Sequence, residues 1–533
     1  MQTSSEQRTI VTNTPSQAVL QMVDVVEVAD CAEKGHISRR SKRRLTRWIA
    51  MLLLCAPLFS GVATFAQYNP LPSPIAEEEV AGPARAAVRA GLSNYGLTQN
   101  PYLGGVPSGK LSATPVPLSL EDAVARGLQQ NLGGFLATDS VTDARGQKWQ
   151  ALSELLPNVV TDTGFGVRQI DLRAQFGLDI PGAPKIVGPF GFFDSRAYLK
   201  QSVFDWEFIE RERSSQAQLK SAEFGYKNAR ELVVTVVVAN YLLVIADQSE
   251  VESALSQRDT AKVLFQQTSD QKTAGLAAAV DVLRSQVELQ SREQKLIAAQ
   301  NNLAKQKLVL ARAIGLPSGQ KFEITTQVGY QALSVPPLEG AIESAYKARA
   351  DFQSQMSQVR SAELERKASS AERYPSLDQV ADYGIVGVNP ASTHGTVDAA
   401  ATLRVPIFQG GRVHGDVLRA DASLARARQQ LEDLRARIDQ EVRDAYLDLE
   451  AAAQEVAVEQ SAVTLATETL QQSRDRFSSG VTDNIEVVQA QDALATANDA
   501  YIASLYSHNL AKISLARAIG VAESHFAEYL KGE

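Results

Sequence analysis

Side chains able to do chemistry are sparse in this 533-residue chain. Its 5 histidines are His36, His394, His414, His508 and His525, too dispersed for a metal-ligand spacing. Its 2 cysteines, Cys31 and Cys55, both lie near the N-terminus. There is no His-Glu-x-x-His pair, no Gly-x-Ser-x-Gly elbow and no glycine-rich phosphate loop. Metal-assisted hydrolysis, acyl transfer and nucleotide-driven chemistry therefore have no residues to carry them, and no enzyme, cofactor or metal is expected. Lys and Arg number 53 against 61 Asp and Glu, interspersed, so no basic face invites nucleic acid. What remains is positional. Asp281 and Glu486 each follow a lone glycine, Gly275 and Gly480, where a helix dipole would favour a carboxylate.

The elements that hold these residues come in two copies. Leu120-Glu121-Asp122-Ala123-Val124 recurs as Leu338-Glu339-Gly340-Ala341-Ile342, and Pro157 recurs as Pro375, 218 residues on. Val203-Phe204 answers Ile407-Phe408 at an offset of 204. Gly275 answers Gly480 at 205, and Leu310-Ala311-Arg312-Ala313-Ile314-Gly315 returns unchanged as Leu515 to Gly520. The first copy holds about 14 extra residues around Ile180 to Pro189. Each copy reads as two shorter helices ending at a proline, two extended segments, a very long helix, a glycine turn and a return helix. The predicted fold is mainly α with a four-strand β contribution. Its units are a first repeat over 118–330 and a second over 337–520, with a short tail over 521–533.

Between Gly415 and Gly480 there is neither glycine nor proline. A helix from about Val413 to Phe477 would be roughly 100 Å long at 1.5 Å per residue. Val417, Leu424, Leu431, Ile438, Ala445 and Ala452 repeat by seven, as do Val282, Leu289, Leu296, Leu303 and Leu310. The matching seam of the second return helix runs Val487, Leu494, Tyr501, His508, Leu515. That period predicts antiparallel coiled coils folded at each glycine turn. His508 sits on a seam, where a packing or polar-register role is expected. The apolar run Leu232 to Ala246 is read as buried seam, since it is too short to span a bilayer.

Thr396 to Ile407 alternates with period two, Val397, Ala399, Ala401, Leu403, Val405 and Ile407 on one face. Asn158–Ile170, Phe192–Phe204 and Leu377–Val388 alternate less cleanly. A membrane sheet has to close, and four strands are too few for a single-chain barrel. Either the strands stay out of the membrane or several copies share one barrel. The N-terminus reads as an export leader over residues 1–66: a basic cluster from Arg39 to Arg47, an uncharged run from Trp48, and Ala63-Thr64-Phe65-Ala66. Its removal would leave a chain without cysteine. Residues 67–116, rich in Pro, Gly and Ser, are expected to be a flexible lead-in.

The segment from Pro406 through Phe408, Gly410 and Gly411 to Arg412 closely resembles the strand-to-helix junction of TolC-like outer-membrane efflux proteins. The duplication, the Phe477-Ser478-Ser479-Gly480 turn and the Glu486 to Gln491 run resemble that family too. Phe204 holds the junction position in the first copy. The resemblance implies a homotrimer with a shared twelve-stranded barrel in outer-membrane lipid and a helical tunnel reaching through the periplasm. It also implies a periplasmic adaptor and an inner-membrane pump as partners, so that the chain is a passive exit duct. The tips that would meet the adaptor are Ser479, Gly480, Val481 and Thr482, with Ala274, Gly275, Leu276 and Ala277 in the first copy. Family members ring their closed aperture with two aspartates one turn apart; Glu486 matches the first, Gln489 replaces the second, and Asp281 is the counterpart in the first copy. The competing reading is a periplasmic coiled-coil adaptor without a barrel, which should carry a lipoyl-like β-domain and usually a single hairpin.

Overall fold

A computed structural model describes residues 100–531, apart from 173, 175, 176, 178–183, 276, 327 and 483. The expected leader, the lead-in up to residue 99, and Leu276 lie outside the described residues. In chain order the elements are β1 (Val116–Leu118), α1 (Leu120–Gln130), α2 (Leu132–Ser153), β2 (Asn158–Asp171), β3 (Ile186–Phe204), α3 (Trp206–Thr273), α4 (Ala279–Ala313), β4 (Phe322–Ile324), α5 (Leu338–Ala348), α6 (Ala350–Ala371), β5 (Ser376–Gly387), β6 (Thr393–Arg404), α7 (Arg412–Ser478), α8 (Asn484–Ile519) and α9 (Ala522–Lys531).

Helices α3 and α7, of 68 and 67 residues, run the length of the bundle. On the sheet side α2 packs on α3, and α6 lies between α3 and α7. On the turn side α4 packs on α3, and α8 lies between α3 and α7. The heptad seam is the cause: Leu424, Ile438, Ala445 and Ala452 are buried, with Val417 and Leu431 half-buried. Val233, Val234, Val237, Val238 and Tyr241 of the apolar run in α3 are buried with Val124, Leu310 and Ile513. The run, expected to be too short to span a bilayer, falls within a window of α3 long and apolar enough to cross one, yet its side chains are core here.

The duplicated six-residue motif lies at the waist, where the shorter helices hand over. Asn131, at the α1–α2 bend, donates from Nδ2 to the Ala313 carbonyl at 3.1 Å. Arg349, at the α5–α6 bend, donates from Nη1 to the Ala518 carbonyl at 3.3 Å. Gly315 and Gly520 end the two motifs at φ +62 and +86. A Cβ on Gly315 would stand 2.6 Å from Gln130 Cβ, and one on Gly520 2.9 Å from Arg349 N. Each bend thus needs a helix end without a side chain, which is why the motif is retained twice.

Strands β2, β3, β5 and β6 pair antiparallel in that order. Register sorts the side chains into two unlike faces. Val159, Thr161, Phe165, Leu199, Ala381, Tyr383, Val397 and Leu403 share a face with no charged residue across the paired positions short of the register shift after Arg168, beyond which Asp171 pairs with Ile186. Asp162, Asp194, Arg196, Lys200, Asp378, Asp382, Asp398 and Arg404 share the other. There Arg196 bonds Asp382, reaches Asp194 at 3.3 Å, and donates to Thr396 Oγ1 at 3.1 Å. Both outer strands, β2 and β6, have one unpaired edge.

Several expected boundaries move. β6 covers Thr393–Arg404 where the alternation suggested Thr396–Ile407. Its ladder ends where Ser376 meets Arg404, and Pro406 has no N–H to extend it. β3 starts at Ile186, six residues before the predicted Phe192, because β2 pairs with it that far. Of the expected lead-in, residues 100–116 are joined to the bundle: Val106 N donates to Gln130 O at 2.8 Å and Ser108 N to Gly315 O at 3.0 Å. The expected tail holds helix α9, tied to α3 by Arg230 and Glu523.

His508 is 1% exposed, with the Tyr330 ring 4.8 Å away. Burial, with Lys512 a turn away adding to it, pushes its pKa down to about 4. The unfolded ring titrates near 6.5, so the folded state loses stability as pH falls from about 6.5 to about 4. Leu303 fills the matching position of the first repeat. His508→Leu is expected to remove a loss on the order of 2 kcal/mol. The check is the melting temperature at pH 7.5 and 4.5; equal drops in parent and variant would refute the assignment.

Candidate functional site

Three places gather the predicted residues: the two hairpin tips, the carboxylates behind them, and the junction where strands become helices.

Both tips are helix ends closed by a left-handed glycine. Gly480, at φ +70, donates to Phe477 O at 3.0 Å, and Val481 N reaches back to Arg476 O at 2.9 Å. Ser479 Oγ donates to Asp475 O at 2.7 Å. In the first tip Ala274 N donates to Asp270 O at 3.0 Å, and Gly275, at φ +77, donates to Lys272 O at 3.0 Å. Ala277 follows just before α4, half-buried, while Val481 is exposed. Below the second tip Leu264 of α3, Leu470 of α7 and Val487 of α8 form a small core. A buried bond between Thr268 and Ser285 Oγ atoms, 2.7 Å, ties α3 to α4.

Of the aperture residues, neither carboxylate hangs free. Glu486 meets Arg476 at 3.2 Å and accepts from Thr482 Oγ1. Asp281 meets Arg284 at 3.5 Å. Gln489 is exposed, one turn beyond Glu486. Two connections between hairpins went unread in the sequence. Fully buried Asn484 donates to the Asp281 carbonyl at 3.3 Å. Buried Arg292 of α4 bonds Glu288, Gln257 of α3 at 3.1 Å, and Asp492 of α8. Asn484 carries a signal, a helix-capping residue after the turn; Arg292 on a polar helix face carries none.

At the junction the two copies differ. After Phe204, Asp205 caps α3 by accepting from Glu207 N at 2.8 Å. After Pro406 and the exposed Phe408, Gly410 and Gly411 both adopt positive φ and start α7 without a side-chain cap. Buried Glu372 holds the two together, 2.7 Å from Arg412 and 4.0 Å from Arg211. Among the described residues no cluster of three or more His, Cys, Asp or Glu could hold a metal.

The family model described as outer membrane efflux protein matches residues 140–316 and 341–521. The chain belongs to that family. Among relatives of this outer membrane efflux protein, the alkaline protease secretion protein AprF of Pseudomonas aeruginosa is 25% identical over 427 residues, 76% of this chain and 86% of its own. Outer membrane protein TolC of Escherichia coli is 21% identical over 340 residues, 60% of this chain and 68% of its own. In fold, it resembles the outer membrane protein VceC of Vibrio cholerae, TM-score 0.66 at 18% identity, covering 75% of this chain and 96% of that one. The Campylobacter jejuni CmeC channel gives 0.68 at 15%, covering 81% and 95%. The efflux protein's two-faced sheet therefore lies in the outer membrane, and its long helices form the periplasmic wall of an exit duct.

Proposed function

We propose that three copies close their sheets into one twelve-stranded barrel and act as a passive duct, fed by an inner-membrane pump through a periplasmic adaptor. The observation that carries this is the sheet: one face without charge short of the register shift after Arg168, one charged face, and two open edges. In lipid those edges have to be paired, and three copies are the smallest number that leaves an open bore. The charged face lines the bore and the apolar face meets lipid. The tips, Ser479 to Thr482 with Ala274, Gly275 and Ala277, receive the adaptor. Relatives are named for protease secretion, pyoverdine export and toluene efflux, so cargo choice belongs upstream of the duct. The test is reconstitution in planar bilayers beside a heat-sensitive oligomer on gels. A soluble monomer without conductance would overturn the duct.

At the bore's narrow end, three copies of Glu486 form the charge ring, each carboxylate held by its own Arg476. Glu486→Gln is expected to lower cation selectivity and cation block by a few-fold in single-channel recordings. Unchanged selectivity and block would remove Glu486 from the aperture.

A further inference from the structure

Between β4 and α5 the chain joins the two repeats by a strap that contacts both α7 and α8. Tyr330 of the strap packs on His508 of α8, and Tyr446 of α7 donates to the Pro336 carbonyl at 2.7 Å. Between these two anchors Leu333 packs against the buried cluster that α5, α7 and α8 share. From Gly329 to Val335 the strap forms no backbone hydrogen bond among the described residues. Side chains therefore hold it, and a cavity of about 590 Å³ lies between it and the helices.

That volume suits a drug-sized molecule, and the walls suit an apolar one. Tyr330 and Leu333 line it from the strap, and Tyr446, Leu447 and Ala453 from α7. Arg443 and Glu450 also line it, two turns apart on α7 and opposite in sign, so these two leave the wall without net charge. Arg443 is already engaged, bonding Asp439 at 2.9 Å.

His508, also in the lining, is different. Its ring makes no hydrogen bond among the described residues, and Nδ1 is buried without a partner. A buried polar atom left so costs about 1–3 kcal/mol, which a bound group could recover. The ring is neutral at neutral pH, so it offers one N–H and one bare nitrogen. A hydroxyl, donor and acceptor at once, satisfies either. One turn on, Lys512 is fully buried and its Nζ also lacks a hydrogen-bond partner. A cation beside the ring favours an acidic hydroxyl over an ordinary alcohol.

We propose that this cavity binds a small uncharged aromatic molecule bearing a phenolic hydroxyl, with the hydroxyl on the His508 ring and the aromatic part against the strap and α7. The site is apart from the tips and the aperture, and it does not depend on the duct proposed above. Leu303 stands at the matching position of the first repeat, so each copy has one such site. An occupant would tie the connection between the repeats to α7.

The test is isothermal titration calorimetry on the full chain, its oligomeric state read on native gels. The probes are 2-naphthol and naphthalene, each corrected by titration into the same detergent without protein. The expected result is saturation by 2-naphthol at one site per copy, about tenfold tighter than naphthalene, the worth of one buried hydrogen bond. His508→Leu should erase that preference and leave naphthalene within about twofold. Ala453→Trp, which fills the cavity from its wall, should abolish both. No saturable binding to the parent overturns the site, whether the cavity is simply unfit or a second copy covers it. Equal affinity for the two probes, or a preference that survives His508→Leu, overturns the hydroxyl contact and the proposal with it. Binding undiminished by Ala453→Trp overturns the location.

Discussion

Val397→Arg is expected to remove the protein from the outer membrane. Val397 is 74% exposed in a single copy, on the charge-free face, opposite Tyr383. An arginine near the middle of the hydrocarbon costs about 2–4 kcal/mol, and a three-copy barrel meets that cost three times. Thr402→Arg makes the same chemical change on the other face, opposite Asp378, and should be tolerated. Quantifying each variant in the outer-membrane fraction separates the faces. Equal loss in both would mean that the sheet is intolerant of bulk, and normal assembly of Val397→Arg would reverse the face assignment.

Arg349→Ala should cost the folded chain about 3 kcal/mol, close to the low end for breaking a buried pair. Arg349 is 3% exposed, bonds Asp351 at 2.7 Å, reaches Glu441, and holds the Ala518 carbonyl. Alanine would leave the Asp351 carboxylate without its hydrogen-bonded cation, with only the charge of Arg517 acting on it, and the end of α8 without its donor. Arg349→Asn copies the residue that serves the first repeat. It should recover the carbonyl bond and a minor part of the loss, because neither acid regains a hydrogen-bonded cation. Thermal unfolding followed by circular dichroism reads both. A loss under about 1 kcal/mol would show the waist to be held by packing alone.

The long helices were legible because a seven-residue period over several heptads has few other physical explanations. Val417 to Ala452 faces inward as that period requires. The duplicated motif and its glycine were legible as a repeat, but their purpose was not. The partner of Gly520 is Arg349, 171 residues earlier, and no local pattern joins them. Strand ends were misplaced because alternation is a property of side chains, whereas a ladder ends where backbone donors end. Val405 and Ile407 keep the pattern although the pairing has already ended at Arg404. The three-residue β1 and β4 went unread, since neither is long enough to show a period. At the tips the sequence placed Glu486 and Asp281 behind their turns, but not the arginines that hold them. Those partners depend on side-chain reach, which spacing alone does not encode.

From Asp416 to Ser478 helix α7 has no residue at which it would bend easily. It is therefore a rod roughly 95 Å long that starts at the paired positive-φ glycines Gly410 and Gly411. A rotation of about 5° there would carry the far end sideways by about 8 Å, more than a hydrated ion is wide. A tilt of that size would widen the proposed duct with no helix unwinding, provided the waist, where Arg349 reaches Glu441 of α7, moves with it. The work of opening falls on whatever staples the far ends together, chiefly Asn484 and the Arg292 network, and a partner gripping the tips works at the full mechanical advantage of the rod.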